Sequence, residues 1–263
     1  VGGNVRGNRV RNDVKSWTST ETFMPQIGSN QFSNSRSANI NGRTDFSGNF
    51  RIEWEPDTLT EIVFTPSISY SSSDSWGESR SATFNSNPFD YEKDYEKEAY
   101  GDVSDDLKDV AINSNENNSL SMGENFSFST RLQANRNLGK KGRNLTFRGN
   151  YSYADSKNRS YSVNKVNYYQ VVKDNLLQQR YSATPGCNWN YSLSLSYSEP
   201  ILKNLFLQLN YSYNYSYNNS NRATYSFDKL PDYILAISPD LTNPMLPDNL
   251  DLFLDNDLSR YST

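Results

Sequence analysis

Between Asn188 and Asn218 the chain alternates with a period of two, and this stretch limits the available folds more than any other. Trp189, Tyr191, Leu193, Leu195 and Tyr197 alternate with Asn190, Ser192, Ser194, Ser196 and Ser198. After a turn over residues 199–204, Leu205, Leu207, Leu209, Tyr211, Tyr213, Tyr215 and Tyr217 alternate with Gln208, Asn210, Ser212, Asn214, Ser216 and Asn218. Successive side chains of a strand point to opposite faces, so the pattern predicts a hairpin with one apolar and one small-polar face. Its second arm is about twice the usual strand length of five or six residues. Leucines grading into aromatics on one face, with serine and asparagine on the other, suit a membrane-spanning strand pair whose polar face meets water. A soluble antiparallel sheet with one face on a core gives the same alternation.

The rest of the chain repeats the signal more weakly. Phe46, Gly48, Phe50, Ile52 and Trp54 form one apolar face, ending at a turn over 55–58; Ile62, Phe64, Pro66, Ile68 and Tyr70 form the next. That strand is expected to continue past Trp76 towards Phe84, although Pro66 argues against a regular central strand. Leu120, Met122, Phe126, Phe128, Thr130, Leu132 and Ala134 follow, then a basic turn at 137–144. Leu145, Phe147, Gly149, Tyr151 and Tyr153 continue beyond it, with Tyr161 and Val163 as a prolongation. Val1 to about Phe23 reads as a strand running into an exposed extension. Residues 24–36, 85–118 and 165–186 read as loops, and 228–263 as a Pro- and Asp-rich tail, with DYEKDYEKEAY at 90–100 able to form a short helix. Short turns near 55–59, 137–144 and 199–204 thus alternate with long connections on the other rim. Outer-membrane barrels have that asymmetry, short on the periplasmic side and long outside.

Composition narrows the chemistry. Only 35% of residues are hydrophobic, yet 19 are tyrosines. That is little for a compact core and adequate for a barrel wall, where every second residue is apolar. No apolar run approaches the roughly 18 residues of a transmembrane helix. With no histidine and one cysteine, Cys187, the chain has no internal disulfide, no His-dependent triad and no His-ligated zinc. Cys187 reads as a small hydrophobe. A net charge of −4 argues against nucleic acid as a partner.

The pieces NRNLGKKGRNLTFRGNYSY at 135–153 and NWNYSLSLSYSEPILKNLFLQLNYSYNYSY at 188–217 resemble the outer-membrane β-barrel proteins of Bacteroidetes that are similar to TonB-dependent receptors. The resemblance covers nearly the whole chain and rests on composition and alternation. It implies an all-β, antiparallel up-and-down transmembrane barrel in the bacterial outer membrane, of about twenty-two strands with a globular plug. With about seven strands, no plug and no terminal strand ending in an aromatic residue, residues 1–263 are expected to be one part of such a barrel domain. The implied activity is uptake of an unidentified nutrient, with an energy-coupling protein and outer-membrane lipid as partners. The reading of another class is a soluble or surface-attached β-sheet protein that binds a partner through long acidic loops.

Site expectations follow from the faces. Trp54, Trp189, Tyr191, Leu193, Leu195, Tyr197, Leu205, Leu207, Leu209 and Tyr211 are expected to face lipid, the aromatics as an interfacial girdle rather than sugar-stacking platforms. Arg51, Glu53, Arg131 and Arg148 are expected on the lumen side. Between Asp90 and Asp109 nine acidic and three basic residues give a net −6. Asp102, Asp105, Asp106 and Asp109 are candidates for contacting a ligand there, but their spacing lacks the register of a calcium loop. A solvated loop is the expectation. No catalytic residues, cofactor or metal site are expected in this region.

Overall fold

The computed structural model describes residues 1–24, 29–91, 103–139, 142–202, 205–230 and 233–260. The strands are β1 (Gly2–Met24), β2 (Ser29–Asp57), β3 (Thr60–Phe84), β4 (Ala111–Asn137), β5 (Asn144–Tyr168), β6 (Leu176–Leu202), β7 (Leu205–Ser220) and β8 (Ala223–Ser226). Each of β1 to β7 pairs antiparallel with its sequence neighbours, in the order β1-β2-β3-β4-β5-β6-β7. β8 pairs with β6 in the register that β7 leaves off, Gly186 opposite Ser220 and Ala183 opposite Ala223, so it prolongs the same edge. The expected all-β, up-and-down architecture is therefore present. The sheet is open: β1 and β7 are paired on one side only.

Serine and asparagine are poor strand formers, so these segments hold through pairing on both sides and through the cross-strand contacts of the aromatic positions between them. The result is long. β2 has 29 residues and β4 and β6 have 27 each, about 90 Å of strand at ~3.4 Å per residue. The expected loop over 24–36 is strand from Ser29 onward, with Phe23 opposite Asn30 and Trp17 opposite Arg36. The expected connection over 165–186 shrinks to 169–175, because β5 runs to Tyr168 and β6 starts at Leu176. Both misreadings have one cause: apolar residues there are sparse and interrupted by polar ones on the same face, so no regular alternation marks the strand.

Strict alternation of short and long connections is thereby lost. On the rim opposite the short turns, β1–β2 and β5–β6 join quickly, and only 85–110 and the segment after β8 are long. The turn after β2 is Asp57–Thr60 rather than one led by Pro56, and Asp57 Oδ1 accepts the Leu59 amide at 2.8 Å. That bond holds the Asp57 carboxyl below its ordinary pKa. Gly139 and Gly142 adopt φ of 80° and 92° in the basic turn, where a side chain would be strained. The third turn is tighter than expected, since β6 extends to Leu202 and β7 begins at Leu205.

Pro66 stands in the middle of a central strand, against expectation. The β2–β3 ladder passes from Asn49–Ser67 to Ile52–Phe64, whereas towards β4 Pro66 stands opposite Thr130. The proline thus sits where the ladder on one side is already interrupted.

Two buried clusters lie towards the long-connection rim. The larger joins Ile40, Trp76, Leu120, Tyr161 and Tyr181 on one sheet face to Phe227 and Leu235 after β8. The segment expected as a tail is therefore a cover folded onto the sheet. Gln179, fully buried, donates Nε2–H to the Tyr233 carbonyl at 2.8 Å and accepts the Leu235 amide at 2.7 Å, as a neighbouring peptide would. The second cluster packs Leu107, Val110 and Ala111 against Ala82 and Phe84. Part of the acidic connection is thus anchored, and 111–118, expected as loop, belongs to β4. The short helix expected near DYEKDYEKEAY falls on 92–102, outside the described residues.

Candidate functional site

Residues directly opposite on antiparallel neighbours share a sheet face, so the register assigns every side chain. One row reads Gly48, Ile68, Phe128, Tyr153, Trp189, Tyr217 from β2 to β7. Closer to the short turns come Ile52, Phe64, Leu132, Gly149, Leu193, Tyr213, then Trp54, Ile62, Ala134, Phe147, Leu195, Tyr211. The apolar alternations seen separately in each strand are thus brought onto one face at one height. Apart from Gly48, none of these residues is buried. Trp54 is 60% exposed, Leu195 43% and Tyr211 68%. A soluble sheet covers such a face with a second layer. Among the described residues nothing covers it.

The band has defined edges. Away from the short turns it stops at the row Arg9, Thr44, Ser72, Glu124, Lys157, Pro185. At the other end Arg143 meets Glu199 in an ion pair through Nε and Nη2, and Tyr197 donates to the same carboxylate. Phe46 to Trp54 on β2 spans about 30 Å of strand, the length a tilted strand needs to cross a hydrocarbon layer. Aromatics gather near the upper edge: Trp189 lies 5.2 Å from Tyr215 and 5.9 Å from Tyr217, and Tyr191 lies 5.4 Å from Tyr215. Of the residues expected on this face, Trp54, Trp189, Tyr191, Leu193, Leu195, Tyr197, Leu209 and Tyr211 lie within the band. Leu207, opposite Glu199, and Leu205 lie at its lower rim. Cys187 shares the face at the upper edge, opposite Asp155 and Asn219.

The opposite face is polar throughout the same height, with Val63 and Ala154 as its apolar members. Ser67 and Ser129 share a hydrogen bond at 2.6 Å, as do Ser69 and Ser127 at 2.7 Å. Arg131 donates to Asn150 at 3.0 Å, and Asn150 to Ser192 at 3.0 Å, linking three strands. Arg51, Glu53, Arg131 and Arg148 all lie here, Arg51 bonding Glu53 and Arg148 donating to Gln133 at 3.4 Å. An open groove of about 590 Å³ on this face is lined by Asn49, Ser67, Ser129, Arg131, Asn150 and Asn190. Hydroxyls and amides bonded to one another make a hydrophilic surface, and among the described residues no arrangement of acid, base and nucleophile stands in it.

Among the described residues, the acidic connection does not assemble a site. Asp102 is outside the described residues. Asp105, Asp106 and Asp109 are exposed, and Asp105 is engaged by Lys108 at 2.5 Å, which lowers its pKa. Among the described residues no three acidic groups converge to hold a metal ion. What sequence reasoning missed is the cover after β8, whose Leu230, Tyr233, Leu235 and Phe253 pack onto the upper part of the band-bearing face. Its signal was the apolar spacing in YILAI and LDLFL, obscured by prolines and aspartates. No family model matches the chain, and no curated protein matches it.

Proposed function

We propose that this chain is part of the wall of a bacterial outer-membrane transport barrel, similar to TonB-dependent receptors, that takes up a nutrient and performs no chemistry in this region. The observation that carries the reading is the uncovered apolar band, one bilayer tall and six strands wide, backed by a face that is polar apart from Val63 and Ala154. Hydrocarbon is the solvent that such a face needs, and a water-filled lumen is the environment its reverse needs. Two edges paired on one side only support further strands closing the wall. Outer-membrane lipid is then the immediate partner, and an energy-coupling protein follows from the resemblance. The long connection at 85–110 lies outside the cell in this orientation, and the turn at Gly139 in the periplasm.

The test is accessibility in cells. An epitope inserted after Asp106 is reached by antibody on intact cells, and one at Gly139 only after the outer membrane is opened. Recovery of the protein in the soluble fraction would reject the membrane reading in favour of a soluble binding sheet. Reversed accessibility would turn the barrel upside down.

A further inference from the structure

Above the border row, the band-bearing face is neutralised or covered from β2 to β6. Arg80 meets Glu78 at 2.6 Å and Glu116 at 3.0 Å, and Arg159 lies 3.8 Å from Glu124. The segment after β8 lies over Ile40, Trp76, Leu120, Tyr161 and Tyr181. β1 is the exception. From Gly2 to Phe23 every residue is exposed. On the face shared with the band it reads Gly3, Val5, Gly7, Arg9, Arg11, so two cations begin where the apolar positions end. Neither Arg9 nor Arg11 has an ion-pair partner among the described residues. Arg9 stands in the border row opposite Thr44, and Arg11 opposite Gly42. Two residues along a strand separate them by about 7 Å, close to the depth of the headgroup layer above a hydrocarbon core. Asp13 is the acid nearest them on that face of β1. Pairing β1 with a further strand would use its backbone edge and leave this face open.

We propose that Arg9 and Arg11 bind phosphate-bearing lipid headgroups of the outward leaflet. The guanidinium fork matches a phosphate bidentately and keeps its charge at any physiological pH. The proposal rests on the reading of the band as lipid-facing and of the long-connection rim as outward. Arg6 supplies an internal control: it lies on the same strand three residues below Arg9, at band height, on the polar face opposite Ser47.

The full-length protein in zwitterionic detergent is titrated with bisphosphorylated lipid A, and bound lipid is counted by mass spectrometry. Arg9→Gln with Arg11→Gln weakens binding by about fivefold for each charge removed at low salt, while Arg6→Gln leaves it unchanged. Inorganic phosphate at equal concentration does not displace the lipid. Wild-type binding by the double variant, equal loss in Arg6→Gln, or displacement by inorganic phosphate overturns the proposal. The band is read separately, by quenching with brominated acyl chains that disappears in a Trp54→Phe, Trp189→Phe variant. With that quenching present, a failed lipid titration removes this proposal alone; with it absent, the band reading falls and takes the proposal with it.

Discussion

Leu195 of β6 stands directly opposite Tyr211 of β7, and both point away from the serine-lined face into open surroundings. An arginine at Leu193, one row further from the short turns and opposite Tyr213, would place a charge near mid-band. We expect Leu193→Arg to cost about 2–4 kcal/mol when folding into lipid is measured by denaturant titration. Leu207→Arg should cost about 0–1 kcal/mol, because Leu207 faces Glu199 at the lower rim, where a cation finds both water and a partner. Ser194→Arg, opposite Ser212 on the polar face, should be mild. Equal costs at the three positions would reject the band.

How much of this was legible in sequence depends on whether a strand has one apolar face. The Trp189 and Leu205 arms could be read side by side because aromatic and aliphatic residues recur at every second position. β1 could be read only as a strand running into an extension, since Val5 and Trp17 point to one face and Val10 and Val14 to the other. The upper half of β2 carries Ser and Asn on both sides, and only pairing with its neighbours makes it a strand. No local pattern encodes that pairing. Coincidence of six apolar stretches at one height is likewise a property of register, visible only once Trp54, Ile62, Phe147 and Leu195 stand in one row.

The amide of Gln179 is the hinge on which the cover rests. Gln179→Ala leaves the Leu235 N–H and the Tyr233 carbonyl without their partner in a buried setting. We expect a loss of about 1–3 kcal/mol of local stability, read as faster amide exchange or proteolysis within 233–250 while exchange in the band is unaffected. Uniformly faster exchange over the whole sheet would mean that the cover and the band unfold as one unit.

Alkaline pH should loosen the same region. Burial raises the pKa of Tyr161 and Tyr181 above the ordinary tyrosine value, with the charge of Tyr181 adding at Tyr161, that of Tyr225 adding at Tyr181, and Arg159 opposing at both. A phenol whose folded pKa is raised contributes stability that is complete below its unfolded pKa of about 10 and is lost as pH climbs through the folded value. Tyr161 stacks on Tyr181 at 4.8 Å, and Tyr181 on Tyr225 at 5.6 Å, so ionisation of one disturbs the row. Protease sensitivity of 233–250 should rise above pH 10 together with phenolate absorbance, and replacing both tyrosines by phenylalanine should remove the step. Ionisation of these phenols at their ordinary value with the cover still protected would contradict it.

The two outer strands set the condition for folding in a membrane. β1 offers 23 residues of edge and β7 another 16, and among the described residues neither edge is paired on its outer side. Where such an edge crosses hydrocarbon, each unpaired N–H and C=O lacks the partner that water would supply, at a cost of several kcal/mol per group. The band height of β7, from Leu209 to Tyr217, falls wholly within that edge. Residues 1–263 produced alone in detergent should therefore aggregate, or associate edge to edge into oligomers, rather than form a barrel. Supplying the neighbouring strands of the same wall should convert them to a compact, heat-modifiable species on gel electrophoresis. A monodisperse, heat-modifiable monomer of 263 residues would show that β1 and β7 find each other, and the wall would then be a closed seven-stranded barrel in its own right.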